Sequence, residues 1–484
     1  MRPQLIVDCG SRVLSALLVL SDGQTVPVSH DIRNVATRHF SADVLLDPRV
    51  IEHPDFVWED ALESLSKARP RDFFQRSRRT GLRRPWDTDA SAELLRLVSP
   101  LAVLSSPAAL ADSSASDALL PFSLALIDAL LEPIFAFVSE RKIASSEFDV
   151  VLIVPPHAGR AVRSGLQKLV RRRGCGRPLI INREVAAALS LVGTGDGECL
   201  VVDSTHDDLH VHRITLTGAS EQRVHSVRSF SQRGFGWSHW VSHVATALGV
   251  MRSASFDRAL VSLLTGSPDS LQSPVTHAAL RAALDDRWVN KHRGVWREWM
   301  REQLEEVGVD IDAPFLLLGE IFALEAIRAV VDDRSQGGTL DLSTRGVATS
   351  MRWLRANPSR TLCLTSAGSL RMNTLHGDAI SLLDFSQLPA PGESCLVQRD
   401  FRLAGQSTGD TAFLVHLLWG ADVAPEGNAA LAAVPIKRRG EDDLRVSLRL
   451  RRSTSGKVLS GSAAMSAGHH VVTARFSHEV EVRR

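Results

Sequence analysis

FDVVLIVPP, residues Phe148–Pro156, is an apolar run closed by two prolines. The next segment places Val162, Leu166, Leu169 and Val170 on one face at helical spacing. LIINREVAAALSL (Leu179–Leu191) then reads as a short strand feeding a helix of small residues. CLVVD (Cys199–Asp203) is a second buried strand, and a tight polar link leads from it into LHVHRITL (Leu209–Leu216). Strand, helix, strand, helix, strand predicts an α/β domain.

Upstream, LIVDCG (Leu5–Gly10) reads as a buried strand ending in Asp8 and a glycine turn. VLSALLVL (Val13–Leu20) follows, with a hairpin signal at Asp22-Gly23. Ala102–Ala118, rich in Ala and Ser, reads as a loop or loose helix. Leu119–Val138 is about the length of a membrane span. It carries Asp128, Glu132, Pro121 and Pro133, and charges at mid-span are costly in lipid, so it is expected to be a buried helix.

Downstream come RGFGWSHWVSHVATALGV (Arg233–Val250), several helical segments, FLLLGEIFALEAIRAV (Phe315–Val330) and a helix ended by Asn357-Pro358. Trp288, Trp296 and Trp299 in this region are expected in the core. From Arg360 the period becomes two: Phe413, Val415, Leu417 and Trp419 alternate, as do Leu444, Val446, Leu448 and Leu450. Turn signals at Pro391-Gly392, Thr408-Gly409 and Ser455-Gly456 separate the runs, which predicts a β-sandwich.

The order of these segments resembles the seventy-kilodalton heat-shock chaperones of the actin-like ATPase superfamily. Their Val-Pro strand end corresponds to Val154-Pro155, and their Ile-Ile-Asn-Glu-Pro-Thr-Ala-Ala-Ala segment to Ile180–Ala188. Their second phosphate loop corresponds to the region of Asp203–Asp208. The resemblance implies a two-lobed actin-like nucleotide-binding domain over 1–358 and a β-sandwich over 359–484 resembling the chaperones' peptide-binding domain, without the helical lid.

The same resemblance assigns cofactor-binding positions to Asp8, Gly10, Ser11, Asp203, Gly234, Gly236 and Gly319. ATP and magnesium are the cofactors implied if the cleft works, with Asp8, Asp203 and Glu184 as its catalytic carboxylates. The chemical residues, however, are largely replaced. Arg12 stands for a Thr, Arg183 for the Glu of the Asn-Glu-Pro segment, and Glu320 for a Gly. Ala323 falls where an adenine-stacking Arg is expected, and the phosphate-facing Lys has no counterpart near Arg76 and Ser77. A phosphate loop needs glycines so that backbone N–H groups reach the anion. Ser204, Thr205, His206 and Asp207 put side chains there instead.

His206, Asp207, Asp208, His210 and His212 resemble a metal cluster but lack a spaced partner set, so they are read as an exposed polar hairpin and no metal is assigned. A net charge of +1 excludes a polyanion-coating protein and makes a nucleic-acid partner unexpected. Five dispersed cysteines and an N-terminus without a secretion signal point to a cytoplasmic, reduced setting. The leading expectation is a chaperone-like pseudo-ATPase that binds a protein or peptide partner through its β-domain. The alternatives are a working ATP hydrolase and an assembly protein like the actin-fold filament formers.

Overall fold

A computed structural model describes residues 2–46 except 11–12, 33–34, 38 and 42–43; residues 82–83 and 96–98; and residues 113–483 except 157, 159, 206–207, 219–220, 234, 253, 266–274, 308–313, 332–340, 366–368, 374–378, 403–410, 422–427, 439–442 and 468–469. Ser11, Arg12, Arg76, Ser77, His206, Asp207 and Gly234 lie outside the described residues.

The first sheet is built on β1 (Gln4–Cys9), whose six residues are all buried. It pairs antiparallel with β2 (Val13–Val19), which pairs in turn with β3 (Thr25–Pro27). On its other flank β1 lies parallel to β4 (Asp149–Val154), followed by β5 (Leu179–Asn182). Strands covered on both faces need apolar residues at successive positions, which is why β1 and β4 read as continuous runs. Leu5, Val7, Leu152 and Val154 face one core with α1 (Ser113–Glu140) and α2 (Arg160–Arg172). Ile6, Val151 and Ile153 face another.

Within α1, Ile127, Leu130, Leu131, Ile134 and Val138 are fully buried, as expected for Leu119–Val138. The helix starts at Ser113, so the Ala/Ser-rich region is helical at its end. Among the described residues no helix is long and apolar enough to cross a membrane.

The second sheet repeats the plan of the first. β6 (Gly197–Ser204) pairs antiparallel with β7 (Asp208–Thr217), which pairs with β8 (Gln222–Arg233). The other flank of β6 carries a later, parallel strand, β9 (Phe315–Leu318). In the first sheet Asp8 lies opposite Ser15 and Ile153; in the second Asp203 lies opposite His210 and Leu318. The two aspartates therefore hold equivalent positions in a duplicated unit.

Two helices of small residues join the units. α3 (Arg183–Ala188) and, after α4 (Trp237–Ala247) and α5 (Asp286–Val307), α6 (Leu342–Ala356) share a core with residues of both sheets. The approach is close: a Cβ at Gly346 would lie 2.0 Å from the Ala186 carbonyl oxygen. Trp296 is buried beside α4, with Trp288 and Trp299 packed against the same core.

A strand at Leu362–Thr365, β10, runs parallel to β8 and widens the second sheet. Two four-stranded antiparallel sheets follow. One has the order β12-β11-β14-β15, formed by β11 (Ser369–Asn373), β12 (Ala379–Asp384), β14 (Thr411–Gly420) and β15 (Ala429–Arg438). The other has the order β13-β16-β17-β18, formed by β13 (Ser394–Phe401), β16 (Leu444–Arg452), β17 (Val458–Ala467) and β18 (His470–Glu479). Both contribute to one core, the first through Leu417, Trp419 and Val434, the second through Val446, Leu448 and Met465.

The last strand, β19 (Glu481–Arg483), leaves this pair of sheets and joins β10 at the edge of the second α/β sheet. Leu362–Thr365 and Glu481–Arg483 thus belong to the α/β part although both follow residue 358. Their period-two pattern marks them as strands but carries nothing about which sheet accepts them. Ser229 N donates to Ala421 O at 2.8 Å, and Arg177 lies 3.8 Å from Glu479, adding two further ties between the parts.

Candidate functional site

The two equivalent strand ends meet at a buried arginine. α3 begins directly after β5, and its first residue, Arg183, is 4% exposed. Its Nη1 donates to Asp203 Oδ1 at 2.8 Å, and its Nε to Asp8 Oδ2 at 3.3 Å. Both carboxylates are 2% exposed. Ser343, at the start of α6, donates its hydroxyl to Asp8 Oδ2. Glu320 is also buried and adds its field to the group.

Three carboxylates around one guanidinium leave excess negative charge out of water. Burial raises the Asp8 pKa, opposed by Arg183 and Ser343. Burial pushes Asp203 up to about 6, opposed chiefly by Arg183. Burial alone lowers the Arg183 pKa, but Asp203, Asp8 and Glu320 outweigh it, so the net shift is upward and the guanidinium stays charged.

The glycines kept from the chaperone pattern serve the backbone. A Cβ at Gly10 would lie 2.5 Å from Val13 O, inside the β1–β2 turn, and 3.5 Å from Arg183 Nη2. Gly319 has φ +115°, and a Cβ there would lie 3.0 Å from the Ser204 Cβ. Gly236 caps α4 with φ −80° and ψ −178°, a conformation open to any residue. The second loop closes on itself: Thr205 N donates to Asp208 O at 2.9 Å, and Asp208 N to the Thr205 hydroxyl at 3.2 Å. Trp237 N, the first donor of α4, donates to Thr205 O at 3.0 Å.

The Arg183 guanidinium lies between Asp8 and Asp203, and Thr205 N, Asp208 N and Trp237 N each donate within the protein. The chemistry shown among the described residues is ion pairing.

Glu184 points to a separate partner. It is fully buried, and Asn182 Nδ2 donates to its Oε1 at 3.1 Å. Burial pushes its pKa up to about 7. Asn182 Oδ1 in turn accepts from Arg163 Nη2, whose Nε donates to Ala158 O at 2.8 Å. Glu184 therefore does not join the Arg183 group through any hydrogen bond among the described residues.

His210 and His212 are not an exposed hairpin; they are 5% and 1% exposed. Ser231 Oγ lies 2.8 Å from His210 Nδ1, and Ser229 Oγ 2.6 Å from His212 Nδ1. The register of β7 with β8 sets His210 beside Ser231 and His212 beside Ser229, so each buried ring lies next to a serine hydroxyl. Sequence reasoning named Asp8, Asp203 and the replacement at Arg183 but not the ion pairs among them, and it missed Ser343. No spacing rule reaches from residue 8 to residue 343.

No protein-family model matches the chain, and no curated protein matches it. Among solved structures the chain is similar to the crystal structure of MreB5 of Spiroplasma citri bound to ADP. That likeness has 13% sequence identity and a TM-score of 0.42, and covers 74% of this chain and 98% of the other.

Proposed function

We propose that this chain is a heat-shock-chaperone-like protein of the actin-like superfamily with an inactive nucleotide cleft. It acts as a protein-binding, scaffolding or regulatory component through its C-terminal β-domain, in a reducing cytoplasm. The observation that carries the reading is the Arg183 bridge between Asp8 and Asp203. A guanidinium bonded to both carboxylates offsets part of the charge at the strand ends and occupies the space where a hydrated divalent ion would sit. The duplicated hairpin-plus-parallel-strand unit supports the superfamily, and the pair of antiparallel sheets that follows supports the chaperone comparison. None of the five cysteines is placed in a disulfide, which suits the compartment.

Calorimetric titration of the full chain with magnesium-ATP, with a thermal melt alongside, tests the cleft. The expected result is no heat and no shift. Binding at micromolar strength, about 8 kcal/mol, would overturn the inactive-cleft reading and mean that the altered loops still cradle phosphate.

A further inference from the structure

We infer that the outward face of the β13-β16-β17-β18 sheet docks an extended acidic peptide segment of a partner protein. The inference rests on the reading of the β-domain as a protein-binding surface. Along β16, Leu444, Val446, Leu448 and Leu450 enter the core, which turns Arg445, Ser447, Arg449 and Arg451 outward. The strand register continues this face. Leu396, Arg449, Ser462 and Arg475 form one row across the four strands, and Arg451 and Ser460 sit in the next. These residues line a hollow of about 890 Å³. Between the arginines the floor is low because Ser460 and Ser462 are small.

Charge sets this hollow apart from an ordinary solvated sheet face. Arg445, farther along β16, is matched by Asp400 across the strand pair at 2.8 Å. Arg449, Arg451 and Arg475 are exposed and make no ion pair among the described residues. Arg449 and Arg451 stand two residues apart on one face, about 7 Å along the strand. An extended peptide with carboxylates at alternate positions has the same repeat, and each carboxylate can meet a guanidinium through two parallel hydrogen bonds. Arg475 lies two strands away, about 9.5 Å across, within reach of a further carboxylate. Leu396, 57% exposed beside Arg449, adds an apolar contact at the rim.

Other anionic partners fit less well. Single-stranded nucleic acid needs exposed rings for stacking, and the one ring lining the hollow, Phe476, is 4% exposed. A membrane surface needs several apolar side chains to insert, and Leu396 is the one large exposed apolar residue in the lining.

The test is fluorescence anisotropy on the full chain, with a short labelled peptide of alternating Glu and Thr and a central Leu. The expected result is binding that weakens with salt and falls about tenfold or more in the double variant Arg449→Glu, Arg475→Glu. Arg445→Glu should change it by less than about twofold, since that side chain is occupied by Asp400. If the charge reversal disturbs folding, Arg449→Gln with Arg475→Gln keeps the face polar and gives the same readout. Equal affinity in parent and double variant overturns the inference. So does tighter binding of a single-stranded oligonucleotide or of phosphatidylserine vesicles than of the peptide, which would assign the face to that class. The magnesium-ATP titration does not involve this face, so heat there would sink the inactive cleft and leave the peptide result standing, and the reverse also holds.

Discussion

Replacing Arg183 by Ala removes the cation and leaves Asp8 and Asp203 facing each other at 2% exposure each. Breaking a buried ion pair from one side costs about 3–5 kcal/mol, because the remaining charge is neither solvated nor matched. The loss should depend on pH. Without Arg183 the aspartates relieve the strain by taking up protons, so their folded pKa values rise further above the unfolded value of 3.8. The folded state then binds protons that the unfolded state does not, and stability falls as pH rises through that window. The destabilisation should be near its full size at about pH 8 and clearly smaller at about pH 5. Urea unfolding followed by tryptophan fluorescence measures both. The chain has nine Trp and no Tyr, and Trp237, Trp240 and Trp296 are buried in the second α/β unit. Arg183→Met, which keeps most of the volume, separates the charge effect from a cavity effect. A loss under about 1 kcal/mol at the higher pH, the size of an exposed pair, would refute the reasoning, as would equal losses at both pH values.

Three further substitutions probe neighbouring contacts. Glu184→Gln should gain stability over the parent at high pH: the Glu184 pKa of about 7 against 4.5 unfolded means stability declines between those values, and the variant should flatten that slope in a pH series of urea melts. Ser343→Ala removes the hydroxyl donor to Asp8 and should cost about 1.5–3 kcal/mol, the range for a hydrogen bond to a charged group; an unchanged urea midpoint would remove Ser343 from the cluster. Gly346→Ala forces a methyl to within 2.0 Å of the Ala186 carbonyl oxygen, so the helices must part. It should cost at least about 1–3 kcal/mol, read as a lower melting temperature, despite the better helix propensity of Ala.

The strands β1, β4 and β6 were legible because doubly covered strands show as unbroken apolar runs, and the β16 alternation was legible because one face meets water. The duplicated plan was not, since it depends on Phe315–Leu318 pairing with β6 across more than a hundred residues of intervening chain. The histidines at 210 and 212 misled for a related reason: polar residues suggest solvent, and only the register with Ser229 and Ser231 shows a covered pair. At the site, the departures from the resembled pattern, Arg183 among them, could be read position by position. The ion pairs of Arg183 could not, because its two aspartates are brought together by sheet topology.

A buried arginine with two buried aspartates is seldom the most stable filling for such a space; apolar residues of similar volume often do as well or better. What the charges supply here is placement. Asp8 comes from the first sheet, Asp203 from the second, Arg183 from α3 and Ser343 from α6, so the group forms with its full set of partners only when both sheets and both helices are in one arrangement. The contact continues outward. Asn182, immediately before Arg183, bonds Arg163, and burial, with a smaller effect of the Arg163 charge, lowers His478 of the β-domain to about 3. Buried polar groups therefore link the cleft to the edge of the β-domain. A diffusible metal and nucleotide could leave and let two lobes part. A cation carried on the chain stays at high effective concentration beside Asp8 and Asp203, so under the proposed reading the two strand ends keep a partner without any diffusible ligand.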